Sequence, residues 1–206
     1  MENRLFTKFC GITSLKDALN AQSAGCDAVG FVFVKSSKRY IELSICKNII
    51  NQLSPALMKV ALFANNSESE IRETIDQCSF HVLQFHGSES AEFCRQWGRP
   101  YWKAVPMADD IDLITYVEKY PDANGFLLDN FGKNQSGGSG KKFSWNILPD
   151  KLDNKWILAG GLSVENIHDA KKMSGLDFFD VSSGIEVSPG IKSKTKMINF
   201  IKNLND

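Results

Sequence analysis

The chain has 206 residues, 43% of them apolar and 11% aromatic, which is enough to fill the core of one ordinary domain and leaves few residues for a second. Its 24 basic and 24 acidic residues cancel, with no basic arm or acidic tail, which argues against a nucleic-acid or polyanion partner and for a small metabolite. The first residues lack the apolar run of a signal peptide, and no window stays apolar for the length that spans a bilayer, so a cytoplasmic protein without a membrane partner is expected.

Short apolar runs rich in Val, Ile and Phe alternate with longer amphipathic stretches, the pattern of successive βα units around a parallel sheet. In chain order, strands are predicted at 6–10, 28–34, 58–63, 81–86, 101–105, 125–130, 156–160 and 178–183. Leu15, Ala18, Leu19, Gln22 and Ser23 share a helical face after the first strand, as do Ile71, Ile75 and Cys78 after the third. Helix starts are signalled by Ser14 with Asp17 three residues on, by Ser67 ahead of Glu68 and Glu70, and by Ser163 ahead of Glu165.

The sixth unit is the weakest, because 130–142 has the Gly, Ser and Asn content of a flexible linker and precedes only a short segment at 143–148. Its position after Leu127-Leu128-Asp129 favours a mobile active-site loop over a domain boundary. Dividing the chain by its predicted units gives about 26 residues each, compact but within the lower size range of the α/β barrel. A single-domain (β/α)8 TIM barrel over residues 1–206 is therefore the expected fold.

Five cysteines, Cys10, Cys26, Cys46, Cys78 and Cys94, form an odd set without C-x-x-C spacing, which fits reduced thiols rather than a disulfide framework or zinc site. His81, His86 and His168 are too scattered to propose a metal centre.

Two glycine-rich loops follow the last two strands: Ala159-Gly160-Gly161-Leu162 and Ser182-Ser183-Gly184. Glycine lets the backbone approach an anion, and N–H groups at a helix start carry partial positive charge. Loops after the seventh and eighth strands of a barrel are also where phosphorylated substrates bind, so one shared phosphate site is expected.

Catalytic groups of a barrel lie at the C-terminal ends of its strands. The polar residues there are Cys10, Arg39, Asn65, His86, Asp129 and the serines of the eighth strand. Buried cysteines are usually inert, but Cys10 ends a strand beside the Gly11 turn, where a thiolate can act as base. Asp129 closes an apolar strand, and an acid-base role competes there with a cap or ion pair. Arg39, in the polar turn Ser36-Ser37-Lys38-Arg39-Tyr40, fits surface solvation or a bidentate grip on a substrate carboxylate. His86 fits equally a satisfied rim histidine.

Several segments carry a family resemblance: Lys8-Phe9-Cys10-Gly11-Ile12-Thr13, Ser37-Lys38-Arg39-Tyr40-Ile41, Leu83-Gln84-Phe85-His86-Gly87, Leu127-Leu128-Asp129, Gly137-Gly138-Ser139-Gly140-Lys141, Ile157-Leu158-Ala159-Gly160-Gly161-Leu162 and Asp180-Val181-Ser182-Ser183-Gly184-Ile185-Glu186. In this order and spacing they resemble the phosphoribosylanthranilate isomerases of tryptophan biosynthesis over nearly the whole chain.

The resemblance implies an Amadori rearrangement of N-(5-phosphoribosyl)anthranilate, with Asp129 as general acid and Cys10 as general base and no cofactor. It also implies that Arg39 holds the anthranilate carboxylate. Backbone groups near Gly160, Gly161, Ser182 and Ser183 would hold the phosphate, the loop carrying Gly138 and Gly140 would close over that end, and His86 and Glu186 would be secondary contacts. Two other readings stay open: a non-catalytic phosphosugar-binding barrel, and the histidine-pathway isomerase, for which a carboxylate rather than Cys10 would end the first strand. Monomer and homodimer are both compatible with the sequence.

Overall fold

A computed structural model describes residues 4–107, 111–130 and 156–206. Eight strands form a closed barrel in sequence order: β1 Phe6–Cys10, β2 Ala28–Val32, β3 Met58–Phe63, β4 Val82–Phe85, β5 Tyr101–Pro106, β6 Gly125–Asp129, β7 Trp156–Leu158 and β8 Phe178–Val181. All neighbours are parallel, and β1 closes the ring on β8 with Phe6 opposite Phe178 and Lys8 opposite Asp180.

Helices follow as α1 Leu15–Ala24, α2 Leu43–Ile50, α3 Glu68–Gln77, α4 Ala91–Arg95, α5 Leu113–Glu118, α6 Ile167–Ser174 and α7 Lys194–Asn205. Between β8 and α7 the chain adds a small antiparallel hairpin, β9 Glu186–Ser188 with β10 Ile191–Lys192, which the sequence does not predict.

Side chains alternate along each strand between two apolar layers. Phe9, Phe31, Phe63, Phe85, Leu128 and Phe179 face out and pack on helix residues such as Ala18, Cys46, Ile71 and Phe200. Ala28, Val60, Val82, Trp102, Leu127 and Ile157 come from six strands and fill the barrel interior. Above them Cys10, Val32 and Leu62 form a separate small cluster near the upper rim.

Capping chemistry at the first and third helices follows the sequence. Ser14 accepts the Asp17 amide, and Ser67 and Glu70 form a reciprocal capping box. The Ser163 start does not hold. Gly160 and Gly161 have φ of +74° and +71°, and Ser163 bridges Gly184 in extended form, so α6 begins only at Ile167 after Asn166. The same pair of left-handed residues ends β7 at Leu158, short of the predicted 160. Similarly, β2 ends at Val32 because the chain turns back, with Tyr40 bridging Val32. Beyond Asn130, the linker-like run and the 143–148 segment, with Gly138 and Gly140, lie outside the described residues.

Candidate active site

Inward-facing positions at the C-terminal strand ends open into a cavity of about 340 Å³. Its wall includes Cys10 from β1, Arg39 from the loop after β2, His86 after β4, Asp129 from β6, Gly160 and Gly161 after β7, and Ser182 and Ser183 after β8. Strand parity explains the gathering: Cys10 and Asp129 are each the last residue of a strand, and both face inward.

Cys10 is 5% exposed, and burial pushes its thiol above the ordinary range despite the opposing charge of Lys8. Asp129 is reached by His86, whose Nε2 lies 3.1 Å from Oδ2, while His86 Nδ1 lies 3.1 Å from the Gln84 amide nitrogen. With that amide donating to Nδ1, the imidazole presents its N–H to Asp129. His86 therefore stands behind the aspartate as well as lining the cavity.

Arg39 is gripped by Glu186 through two parallel bonds of 2.8 Å, from Nε and from one terminal nitrogen. The Glu186 hydrogen bonds raise the guanidinium further above its already high value. Glu186 is not among the residues that line the cavity, and its carboxylate braces Arg39. Lys192 joins the same group, donating to Glu186 Oε1 at 2.8 Å and to the Ser182 carbonyl at 3.0 Å. The β9–β10 hairpin thus links the Arg39 loop to the serine loop after β8.

The two glycine loops meet directly. Ser163 and Gly184 form a parallel bridge, and a Cβ on Gly184 would overlap the Leu162 carbonyl oxygen. Asn166 supports the first loop, accepting the Ser163 amide and donating to the Gly161 carbonyl, each at 2.9 Å. Neither loop runs straight into a helix: α6 starts at Ile167, and Ser183 heads a single turn closed by the Glu186 amide at 3.1 Å. No helix start directly follows either loop; what the two loops present together is closely approached backbone.

The family model for N-(5'-phosphoribosyl)anthranilate (PRA) isomerase matches residues 7–203. The chain belongs to this family.

The isomerase of Neisseria meningitidis serogroup C is 40% identical over 202 residues, spanning 98% of this chain and 97% of its own. Phosphoribosylanthranilate isomerase from Thermotoga maritima superposes with a TM-score of 0.87 at 36% identity, covering 98% of each chain. A phosphoribosylanthranilate isomerase solved in complex with reduced 1-(o-carboxyphenylamino)-1-deoxyribulose 5-phosphate superposes at 0.81 with 33% identity, again over 98% of each chain. Its closed eight-stranded parallel barrel with surrounding helices places this isomerase-family chain in the same TIM-barrel fold.

Among the described residues, Lys8, Gln84, Asp180 and Lys192 are further polar groups at or beneath this site that the sequence does not offer as site residues. Lys8 and Asp180 stand at the inward parity of their strands, two residues before Cys10 and Ser182. That spacing was the available signal, since a charge facing a barrel interior needs a reason. For Lys192 no local pattern served, because its partners are fixed by the hairpin.

Proposed function

We infer that this protein catalyses the rearrangement of N-(5-phosphoribosyl)anthranilate to 1-(2-carboxyphenylamino)-1-deoxyribulose 5-phosphate, a step of tryptophan biosynthesis. Family membership supports the reaction, and one observation supports its assignment to residues: Cys10 and Asp129 border the same cavity from β1 and β6. A thiol and a carboxyl on one bound sugar divide proton removal from proton donation.

Asp129 donates a proton to the furanose ring oxygen. The C1–O bond breaks as the anilino nitrogen supplies its lone pair, giving a protonated Schiff base. Because His86 engages Oδ2, the transferable proton belongs on Oδ1. The Schiff base makes the C2 proton more acidic, so a thiolate suffices as base. Cys10 takes that proton, the C2–H electron pair forms the C1–C2 double bond, and the iminium pair returns to nitrogen. The resulting enolamine becomes the ketone by losing the O2 proton and gaining one at C1.

Arg39, aimed by Glu186, holds the anthranilate carboxylate, and the joined loops of Gly160, Gly161, Ser182 and Ser183 hold the phosphate. Anchoring both ends of the substrate places the sugar between Cys10 and Asp129, where orientation lowers the barrier. The substrate is a polar phosphorylated metabolite, in keeping with a cytoplasmic enzyme, and among the described residues no helix is long and apolar enough to cross a membrane.

Purified protein is expected to consume the fluorescent substrate. Cys10→Ser and Asp129→Asn should each lose roughly a hundredfold or more of kcat while still binding a product analogue, in line with removal of an acid-base group. Wild-type turnover in both variants would overturn the role assignments.

A further inference from the structure

Two charges lie directly beneath the thiol and take no part in the steps above. Lys8 precedes Cys10 by two residues on β1, so its side chain enters the barrel one layer below the sulfur. It is wholly buried, and its register partner across the β1–β8 seam is Asp180. Both carboxylate oxygens of Asp180 lie 3.0 Å from Lys8 Nζ.

Cys10 has Gly30 as its register partner across β1–β2. A Cβ on Gly30 would stand 2.9 Å from Cys10 Sγ, 2.9 Å from Lys8 Cε and 3.0 Å from Lys8 Nζ. The missing side chain leaves a space that the Lys8 ammonium and the Cys10 sulfur both border. A buried ion pair adds little net stability, because desolvating both charges offsets their attraction. Its position under an active-site thiol gives it another use.

We propose that Lys8 is a positioning residue for the Cys10 base: its ammonium, aimed by Asp180, supplies the positive charge against which the thiolate forms. This rests on Cys10 being the base. Among the described residues, the charged groups bearing on the sulfur are Lys8 on β1, Asp180 on β8 and Lys192 on β10, with Arg39 at the cavity wall. Asp129 faces the same cavity from β6.

Arg39 is turned to Glu186, and Lys192 to Glu186 and Ser182. Among the described residues Lys8 is the cation that acts most strongly on Cys10, and it opposes the burial that otherwise favours the neutral thiol. When the substrate proton reaches Sγ, Lys8 keeps Asp180 as its partner. Neither protonation state of the sulfur therefore leaves the ammonium unpaired.

The test is peptide-resolved alkylation of Cys10 by iodoacetamide across pH, in the wild type, in Lys8→Met and in Lys8→Met/Asp180→Asn. The double variant removes both charges and leaves no unpaired carboxylate in the barrel. Both variants are expected to move the alkylation midpoint to higher pH by about one unit, which lowers the thiolate fraction near neutrality roughly tenfold. They should shift the pH profile of kcat/KM in the same direction. An unmoved midpoint in a variant with wild-type circular dichroism overturns the proposal.

A second measurement avoids any loss of fold. The Lys8 side-chain resonance, followed by NMR across pH in the wild type, should show a step at the midpoint of Cys10 alkylation that is absent in Cys10→Ser. A wild-type signal without that step overturns the proposal independently. Retained turnover in Cys10→Ser overturns the base assignment instead, and the alkylation midpoint then still judges the Lys8–Cys10 coupling by itself.

Discussion

Gly160 lies so close to Asp129 that a Cβ on it would stand 2.8 Å from the Oδ1 oxygen, and 2.7 Å from the Asn130 amide nitrogen. Its φ of +74° adds a second demand for glycine. A residue that sequence offers as a phosphate contact thus also clears space for the proposed acid. Gly160→Ala is expected to cost about 1–2 kcal/mol of stability from the left-handed backbone. It should also lower kcat by roughly a hundredfold, as misplacing a reacting group does. Thermal melting and steady-state kinetics check the two effects separately, and wild-type kcat in the alanine variant would show that the loop can retreat from the carboxylate.

Glu186 fixes the guanidinium fork and is not among the residues that line the cavity. Glu186→Gln keeps the shape but loses the charge that accepts both bonds, so Arg39 gains freedom to swing. KM is expected to rise roughly tenfold, with a smaller change in kcat, because the anchor rather than the proton transfers is disturbed. A change confined to kcat would place Glu186 nearer the chemistry than the geometry does.

The buried Cys10 thiol stands above its ordinary range, so its basic form accumulates as pH rises. Activity limited by that base should climb through neutrality and still be rising near the ordinary thiol value of about 8.5. The measurement is kcat/KM against pH, with the rising limb absent from the residual activity of Cys10→Ser. A plateau already reached below about pH 7 would mean that another group titrates.

Much of this site was readable along the chain. Cys10, Asp129 and His86 sit at or next to the ends of predicted strands, and strand alternation in a barrel sends such positions into one mouth. Arg39 lies on the rim that its position after the second strand predicts, but its pairing with Glu186, 147 positions away, has no local signal. The use of Glu186 as a brace follows from the β9–β10 hairpin, two short pieces that no periodicity announces. Likewise Ser163, an ordinary helix-start residue by local rules, is drawn into a bridge with Gly184.

Apolar period and capping residues determined the βα order and the identity of the strand-end groups, because those depend on neighbours within a few residues. Register around the closed sheet decided the rest. It set Lys8 opposite Asp180 and Cys10 opposite Gly30, the β6–β7 pairing laid Gly160 against Asp129, and closure of the ring brought Arg39 onto Glu186. Such pairings join residues on different strands, and those across the β1–β8 seam exist only once the barrel has closed.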